Sequence, residues 1–270
     1  MCFDGVSLDS ISRSLPGNKV GRRIVFFPEV GSTHEVARQQ GEGGVEEGTV
    51  YLAEAQTAGR GRQGRTWVSP PCSGLLFSVV LRPPLTPPQT TPIPLVASVA
   101  VAEAVRETTS LSAEIKWPND ITLGGKKVAG ILSDLSARGD TVKYVVLSVG
   151  INVNTDMAQL PDEIRGMATS LAGEAGKCVS RVELLGSLLQ KLDAAYQEFV
   201  AGGFAPLRER WKLLTNTLGK PVRITSGGAV LDGRAVDVDL DGALILEQPG
   251  GGRVRITAGD VSLRGAQGYA

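Results

Sequence analysis

A short segment in which glycine and arginine alternate is the first place in this sequence where chemistry could occur. Residues 56–67 read QTAGRGRQGRTW, with glycines at positions 59, 61 and 64 and arginines at positions 60, 62 and 65. Glycine lets backbone N–H groups approach an anion, and arginine supplies planar, permanently charged donors. We therefore predict that the segment binds a phosphate or an acyl phosphate. The alternative is a flexible surface loop made soluble by arginine.

The same segment contains the G-x-G-x-x-G pattern of dinucleotide-binding proteins, but its surroundings argue against that fold. In those proteins a helix follows the glycines, and an acidic residue follows about twenty residues later. Here Ser69-Pro70-Pro71 follows instead, and no Asp or Glu occurs between Glu54 and Glu103. A Walker phosphate loop at residues 124–127 is excluded as well, because no Ser or Thr follows the two lysines.

Two further clusters carry polar residues that could act on a phosphate or an amine. The segment Lys116-Trp117-Pro118-Asn119-Asp120 follows a predicted strand, which places Asn119 and Asp120 on a predicted loop. There an amide could orient a phosphate or ribose, and a carboxylate could hold Mg²⁺ or position an amine. A structural Asn-Asp turn beside a buried Trp is the alternative. Lys127 begins another predicted strand, in which Gly130 permits close approach of a ligand.

The elements that must position these clusters follow from hydrophobic periodicity and turn signals. Ser32 and Glu35 form a capping-box pattern, which predicts that a helix begins there. Six prolines between positions 82 and 94 predict a stiff surface connector. A turn at 138–140 joins two strands into a predicted hairpin. The predicted strands of this part cover 24–27, 48–55, 75–81, 113–116, 127–135 and 142–149, and the predicted helices cover 95–109, 182–199 and 204–214.

The sequence changes character after Gly219. Short strands are predicted at 222–225, 229–237, 243–246 and 254–256, with turns at Gly227-Gly228 and Asp241-Gly242. This pattern predicts a small all-β barrel that follows a mixed domain. We therefore expect an α+β protein with a short extension at 1–22, a mixed-sheet domain at 23–218 and a barrel at 219–270.

Composition narrows the class of function. The 270 residues carry 28 Lys and Arg against 28 Asp and Glu, which argues against a protein that coats nucleic acid or an anionic membrane. No apolar stretch approaches the roughly eighteen residues of a membrane span, and no signal-peptide core begins the chain. The three cysteines are far apart, so no disulfide framework is expected, and the single histidine argues against a zinc site or a catalytic triad. We expect a cytoplasmic location.

The clusters, taken together and in this order, resemble the biotin protein ligases. The resemblance extends over roughly residues 20–265, and it implies a mixed-sheet catalytic domain of the class II synthetase-like, biotin–lipoate ligase type with a C-terminal SH3-like barrel. Residues 1–23 are too short for the winged helix that many members use to bind DNA. The matching segments are Gly31-Ser32-Thr33, residues 56–67, residues 116–120, Lys127 with residues 129–132, residues 150–154 and residues 168–171.

The resemblance implies ATP-dependent attachment of biotin to a lysine through biotinyl-5′-AMP, with Mg²⁺ bound to ATP and no all-protein metal site. It implies Lys127, Arg62 and Asp120 as catalytic residues. His34 is a departure, because the family often has Asn there, and its contact to biotin is an expectation. Biotin-binding residues would be Ser32, Thr33, His34, Gln56, Arg60, Gly61, Arg62 and Lys127, and ATP-binding residues would be Gly59, Arg60, Arg62, Arg65, Trp67, Lys116, Asn119 and Lys127.

The resemblance also predicts partners and leaves two alternatives open. The expected partners are biotin and the biotin carboxyl carrier domain of a biotin-dependent carboxylase, with no DNA or membrane and a possible homodimer. A lipoate ligase or acyltransferase of the same fold is one alternative. A non-catalytic biotin or adenylate sensor is the other, and intact Lys127 and Arg62 argue against it.

Overall fold

The computed structural model describes residues 17–226, 228–265 and 268–269, together with residues 8, 11, 13 and 15. The apolar spacing of Leu8, Ile11 and Leu15 predicts one short helix near the start of the chain. Leu8, Ile11 and Arg13 are helical and Leu15 is not, while the positions between them lie outside the described residues, as does the predicted turn residue Gly227. No helix among the described residues is long and apolar enough to cross a membrane.

A mixed seven-stranded sheet forms the larger part of the described chain. Its strand order is β1-β2-β3-β7-β6-β5-β4, with β1 and β2 parallel and the other neighbours antiparallel. Strand β3, which lies between β2 and β7, is buried at every position, as its run of apolar and β-branched residues predicts. The strands are β1 (Ile24–Val30), β2 (Val50–Gln56), β3 (Gly74–Leu81), β4 (Glu114–Lys116), β5 (Asp120–Leu123), β6 (Lys126–Arg138) and β7 (Thr141–Asn152).

Helices cover both faces of this sheet. The first helix lies against β3 and β7 over a small core that contains Val80 and Tyr144, whereas the second and the long fifth helix pack together over the main core. Val79 and Leu81 point into the main core and Val80 points into the other, as the two-residue period of a strand requires. The helices are α1 (Thr33–Glu42), α2 (Ile93–Thr109), α3 (Asp162–Arg165), α4 (Leu171–Ala175), α5 (Arg181–Gly202) and α6 (Ala205–Leu214).

A second, antiparallel sheet follows α6, in agreement with the expected SH3-like β-domain. Its described strands have the order β11-β10-β9-β8-β12-β13. The buried indole of Trp117 joins it to the first sheet, because Nε1 donates a 3.0 Å hydrogen bond to the carbonyl oxygen of Gly242. The strands are β8 (Pro221–Ser226), β9 (Ala229–Val238), β10 (Leu244–Glu247), β11 (Arg253–Ile256), β12 (Asp260–Gly265) and β13 (Gly268–Tyr269).

The structure corrects two local predictions and confirms the predicted start of the first helix. Asp120 begins β5 rather than lying on a loop, because antiparallel pairing with β4 and β6 overrides the weak strand propensity of Asp. The helix predicted to begin at Ser32 is α1, which begins at Thr33 with Ser32 as its N-cap residue, although the Ser32 hydroxyl makes no capping hydrogen bond. Cys72 is disulfide-bonded, although no disulfide was expected from the spacing of the cysteines, while Cys178 is free and exposed.

Candidate active site

A tryptophan lies flat over two glycines at the centre of the site. Gly130 and Gly150 are direct partners across β6 and β7. A Cβ atom added at Gly150 would lie 2.6 Å from Cε2 of the Trp67 indole, and one added at Gly130 would lie 3.0 Å from Cζ3 of the same ring. The contact at Gly150 is shorter than real Cβ atoms make and the one at Gly130 is tighter than most, so the Trp67 ring occupies its place because these positions lack a side chain. Its Nε1 is buried and has no hydrogen-bond partner in the described part of the chain.

Lys127 lies beside this tryptophan on β6. Its backbone is fixed on the edge away from β5: its N–H donates to the carbonyl of Met167, and its own carbonyl accepts from the N–H of Thr169. The Nζ atom lies 2.5 Å from Oδ1 of Asp120 and 5.6 Å from the centroid of the Trp67 ring. The ammonium group therefore has a carboxylate partner and an aromatic neighbour, and it remains partly exposed at a place where a ligand anion could bind.

Arg62 and Asn119 form a hydrogen-bonded pair between the arginine loop (residues 59–66) and the first sheet. Arg62 Nη1 donates to Asn119 Oδ1 at 2.8 Å, and Asn119 Nδ2 donates to the carbonyl of Ile131 at 2.8 Å. Burial lowers the pKa of Arg62, while Asp260 and Asp120 act in the opposite direction. A partly desolvated guanidinium interacts more strongly with an anion than one in open water.

Lys116 is a second partly desolvated cation near Asp120. It pairs directly with Asp120 across β4 and β5. Burial lowers its pKa most, Asp120 raises it, and the neighbouring Lys127 lowers it further. Lys116 and Lys127 therefore lie close enough to affect each other, with Asp120 as a carboxylate near both.

The arginine loop is folded back on itself over a cavity. Arg60 and Thr66 form an isolated β-bridge, Arg62–Gly64 forms a single 3-10 turn, and Gln63 and Gly64 have φ values of 56° and 74°. The loop covers a cavity of about 490 Å³ whose other walls include His34, Leu132 and Asp134. The two remaining arginines point away to separate anchors, Arg60 to Glu35 at 2.8 Å and Arg65 to Asp260 of β12 at 2.7 Å.

Polar side chains, among them Thr33 and Gln56 of the expected biotin site, form a hydrogen-bonded row. The backbone N–H and the hydroxyl of Thr33 both donate to Gln56 Oε1, at 2.7 and 3.1 Å, so the amide NH₂ of Gln56 can serve another acceptor. The Thr33 hydroxyl also lies 2.9 Å from that of Ser78 on β3. The hydroxyl of Ser32 is buried and has no partner among the described residues.

His34 continues this row on the other side. Its Nδ1 lies 2.8 Å from Ser148 Oγ, which is 2.7 Å from Ser78 Oγ, and its Nε2 lies 2.7 Å from Asp134 Oδ2. The imidazole is 2 % exposed, whereas the Asp134 side chain is 53 % exposed. The hydrogen bond from His34 lowers the pKa of the Asp134 carboxyl, with an opposing effect of burial and further lowering by the charges of Arg60 and Arg38.

The structure brings some of the expected site residues into contact, whereas Arg60 and Arg65 form ion pairs with Glu35 and Asp260. Lys127 lies beside Trp67, and Arg62 is bonded to Asn119. Thr33, Gln56 and His34 belong to one hydrogen-bonded row. Four residues of the same region were not assigned a role from the sequence. Ser78 and Ser148 read only as strand interior, and Asp134 as an exposed strand residue. Asn152, the last residue of β7, is buried with an unpartnered Oδ1 among the described residues.

A second cavity, of about 320 Å³, lies where the two sheets meet. Arg62 and Asn119 line it from the first part of the chain, and Gly242 and Arg255 line it from the second. The described residues contain no group of three or more His, Cys, Asp or Glu side chains that could hold a metal ion. The site is thus suited to an anionic ligand held by cations and amides.

Family models match both parts of the chain. One, described as the biotin/lipoate A/B protein ligase family, matches residues 26–152, and another, described as the biotin protein ligase C terminal domain, matches residues 217–264. The first contains Thr33, Gln56, Arg62 and Lys127, and the second begins just before β8. The fold and the site thus define a member of this superfamily of ligases.

Similar proteins agree with this class. The chain is 33% identical over 258 residues to the bifunctional ligase/repressor BirA of Bacillus subtilis, covering 96% of this chain and 79% of that protein. It is 32% identical to the biotin–[acetyl-CoA-carboxylase] ligase of Mycobacterium tuberculosis, covering 92% and 94%. The structure of biotin protein ligase from Aquifex aeolicus in complex with biotin and ATP superposes with a TM-score of 0.77 at 31% identity, covering 90% and 99%. The chain belongs to the biotin protein ligase family.

Proposed function

We propose that this chain joins biotin to a specific lysine of a biotin carboxyl carrier domain, at the expense of ATP. The observation that carries the proposal is a pair of cations with fixed partners, Lys127 beside the Trp67 ring and Arg62 on Asn119, together with the polar pair of Thr33 and Gln56. A site that combines cations with an adjoining uncharged polar end suits a ligand with a carboxylate at one end and an amide-like group at the other.

The first step forms a mixed anhydride. A carboxylate oxygen of biotin attacks the α-phosphorus of ATP, the new O–P bond forms, and the bond to the pyrophosphate oxygen breaks. Lys127 and Arg62 stabilise the negative charge that develops on the phosphate oxygens, and Asn119 holds the Arg62 guanidinium in position. No nucleophile of the protein is required, which agrees with a site built from positioning and charge.

The second step transfers the acyl group. The amine of the carrier lysine attacks the carbonyl carbon of biotinyl-5′-AMP, the C–N bond forms, the C–O bond to AMP breaks, and the amine loses a proton. Asp120 is the carboxylate nearest to this centre, and we assign it to orienting the incoming amine. The same carboxylate forms an ion pair with Lys127, and it therefore also positions the lysine that contacts the phosphate.

The polar row suits the ureido ring of biotin. A cyclic urea offers two N–H donors and one carbonyl acceptor, and the row offers hydroxyl oxygens, the Gln56 amide NH₂ and the unpartnered Ser32 hydroxyl. Lipoate has no such group, and its dithiolane would leave these buried atoms unpaired, which costs binding free energy. The row therefore favours biotin over lipoate.

The nucleotide would lie beside Trp67. We assign the adenylate to the space bounded by Trp67, Arg62 and Asn152, whose unpartnered buried Oδ1 suits an amino group. Magnesium would be held mainly by phosphate oxygens and water, with Asp120 as the nearby carboxylate, and would neutralise phosphate charge. Gly59 and Gly61 allow the arginine loop to approach the ligand closely, and we assign Arg60 and Arg65 to fixing the loop through Glu35 and Asp260.

Exchange of labelled pyrophosphate into ATP tests the proposal. The purified chain should catalyse exchange that requires biotin, and lipoate should not replace biotin. Biotin should also raise the unfolding temperature more than lipoate does. Exchange without biotin, or with lipoate in its place, would contradict the assignment of substrate. Biotin binding with no exchange would support the alternative of a non-catalytic sensor.

We further propose a cytoplasmic enzyme that does not bind DNA. The balanced charge of 28 basic and 28 acidic residues supports the second point, because operator binding relies on many phosphate contacts. A tight, salt-sensitive complex with any operator sequence would contradict it. Self-association as a homodimer stays a prediction for sedimentation measurements.

A further inference from the structure

The row of side chains from Asp134 to Gln56 is continuous. The direction in which its hydrogen bonds donate is set at the His34 end. In spatial order it runs Asp134, His34, Ser148, Ser78, Thr33 and Gln56, with neighbouring polar atoms 2.7–3.1 Å apart. Each hydroxyl has one proton to donate, so the donor and acceptor roles in one hydrogen bond of the row fix those in the next hydrogen bond.

The partners of His34 assign its proton. An ionised carboxylate only accepts, so the His34 Nε2 atom that faces Asp134 carries the proton. In the neutral ring Nδ1 is then an acceptor, and it takes the hydroxyl proton of Ser148. Ser148 must in turn accept from Ser78, whose only proton is thereby used.

The consequence reaches Thr33. Because Ser78 has given its proton to Ser148, it cannot donate to Thr33, and Gln56 presents its acceptor oxygen to the same hydroxyl. The Thr33 hydroxyl therefore donates to one of these two neighbours, and no group in the row donates to its oxygen. Both lone pairs of that oxygen are left for a donor from the ligand.

We propose that His34, held by Asp134, is a positioning residue that fixes the direction of this hydroxyl row and so keeps the Thr33 oxygen free to accept a ligand N–H. The proposal rests on the proposed function and deepens it, because the N–H in question belongs to the cyclic urea of biotin. If His34 presented a proton at Nδ1 instead, the row would reverse, and Ser78 would donate to Thr33 and occupy one of those lone pairs.

Two variants interrupt the row at separated points without opening the core. Asp134→Ala removes the group that assigns the His34 proton, and its side chain is more than half exposed. Ser148→Ala removes the hydroxyl between His34 and Ser78. Each should raise the dissociation constant for biotin about fivefold to tenfold, the effect of one hydrogen bond, and the loss should appear in KM for biotin rather than in kcat.

The double variant separates positioning from local damage. Both substitutions disable the same row, so the Asp134→Ala/Ser148→Ala chain should bind biotin no more weakly than either single variant does. Asp134→Glu, which keeps a carboxylate, should restore most of the affinity. Asp140→Ala, which removes an acidic residue from the turn of the same hairpin, serves as the matched control and should bind as the unchanged protein does.

Biotin with a modified ureido ring tests whether the Thr33 hydroxyl oxygen accepts the ligand N–H. Biotin methylated at one ureido nitrogen lacks one N–H, and the unchanged protein should bind one of the two N-methyl isomers much more weakly than biotin. Ser148→Ala should show at least a threefold smaller preference between biotin and that isomer. Melting curves and far-UV circular dichroism would establish that the variants are folded.

The outcomes separate the two claims. If the unchanged protein binds biotin normally but the losses in the double variant multiply, or if Ser148→Ala keeps the full preference against the N-methyl isomer, the positioning role of His34 is wrong while the proposed function stands. If the unchanged protein does not bind biotin, the proposed function fails, and this proposal fails with it.

Discussion

At the scale of single residues, the site depends on side chains whose partners are already in place before a ligand binds. Lys127 has Asp120, Arg62 has Asn119, and Gln56 has Thr33. Such preorganisation limits the rearrangement that accompanies the reaction, and this is how charged groups act most strongly in catalysis. The buried Oγ of Ser32 and Oδ1 of Asn152 have no hydrogen-bond partner among the described residues, so both can bond to a polar ligand.

Lys127→Ala should remove most of the adenylation activity and leave the protein folded. The ammonium group is a partly exposed neighbour of Asp120, so its loss opens no core cavity, whereas the developing phosphate charge loses a charge-assisted contact. We expect biotin-dependent pyrophosphate exchange to fall about a hundredfold to a thousandfold. Lys126→Ala, an exposed lysine one position earlier, is the control. Equal exchange rates in the two variants would remove Lys127 from the mechanism.

Arg62→Gly should weaken retention of the adenylate more than its formation. The guanidinium joins the arginine loop to Asn119, so without it the loop loses a contact to the first sheet as well as a donor to the ligand. Premature release of biotinyl-5′-AMP would then label amines of bystander proteins. The off-rate of the adenylate measures this directly, with Arg138→Gly, in an exposed position on β6, as the control. An unchanged off-rate would assign retention to other cations of the site.

At the scale of elements, the site is made where a loop meets a hairpin. The hairpin of β6 and β7 supplies paired glycines, and the chain after the arginine loop supplies Trp67, which lies on them. Neither element forms the site alone. The arrangement explains why Gly150 and Gly130 stand in strands that are otherwise rich in β-branched and apolar residues.

Gly150→Ala should disrupt ligand binding without harming stability. The added methyl group would lie 2.6 Å from the Trp67 ring, so the indole must move away from β7. Alanine is otherwise favoured over glycine within a strand, so the melting temperature should not fall. Tryptophan fluorescence and the affinity for biotinyl-5′-AMP should both change, the latter by more than about tenfold. Gly166→Ala, where the added atom meets open space, should change neither. Matching behaviour of the two variants would contradict the account.

The sequence predicted those elements whose signals are local. The hydrophobic run of β3, the hairpin around Gly139 and the long helix α5 appear close to their predicted positions. The four-residue strand β5 was missed because Asp120 is a poor strand former, although the two-residue turn Gly124-Gly125 that joins β5 to β6 is a local hairpin signal. The roles of Ser78 and Ser148 were missed for a related reason. Small hydroxyls inside a strand give no sign of function until the sheet brings them beside Thr33 and His34.

At the scale of the whole molecule, the C-terminal sheet contributes to the site as well as following it in sequence. Asp260 on β12 binds Arg65 of the arginine loop, and Gly242 accepts the hydrogen bond of Trp117, three residues before Asp120. The first pair is exposed, and exposed pairs contribute little to stability. The second bond is buried, so we expect it to contribute more to holding the two sheets together.

Trp117→Phe should destabilise the protein more than Trp211→Phe does. Both indoles are fully buried, so both substitutions leave a similar void. Trp117 Nε1 donates to Gly242, whereas Trp211 Nε1 has no hydrogen-bond partner among the described residues. The loss at position 117 should therefore be greater by about 1–2 kcal/mol, because the Gly242 carbonyl is left unpaired. Chemical denaturation of the two variants measures the difference, and equal losses would mean that this bond does not stabilise the contact between the sheets.

The central claim is that this one chain activates biotin with ATP and transfers it to a carrier lysine. The most direct measurement incubates the purified chain with MgATP, biotin and a biotin carboxyl carrier domain, and follows the intact mass of that domain. The account predicts the addition of one biotin to one lysine, with none when lipoate replaces biotin, when ATP is omitted or when Lys127 is Ala. A carrier domain that stays unmodified while the chain is folded and binds biotin, or one that accepts lipoate equally well, would contradict it.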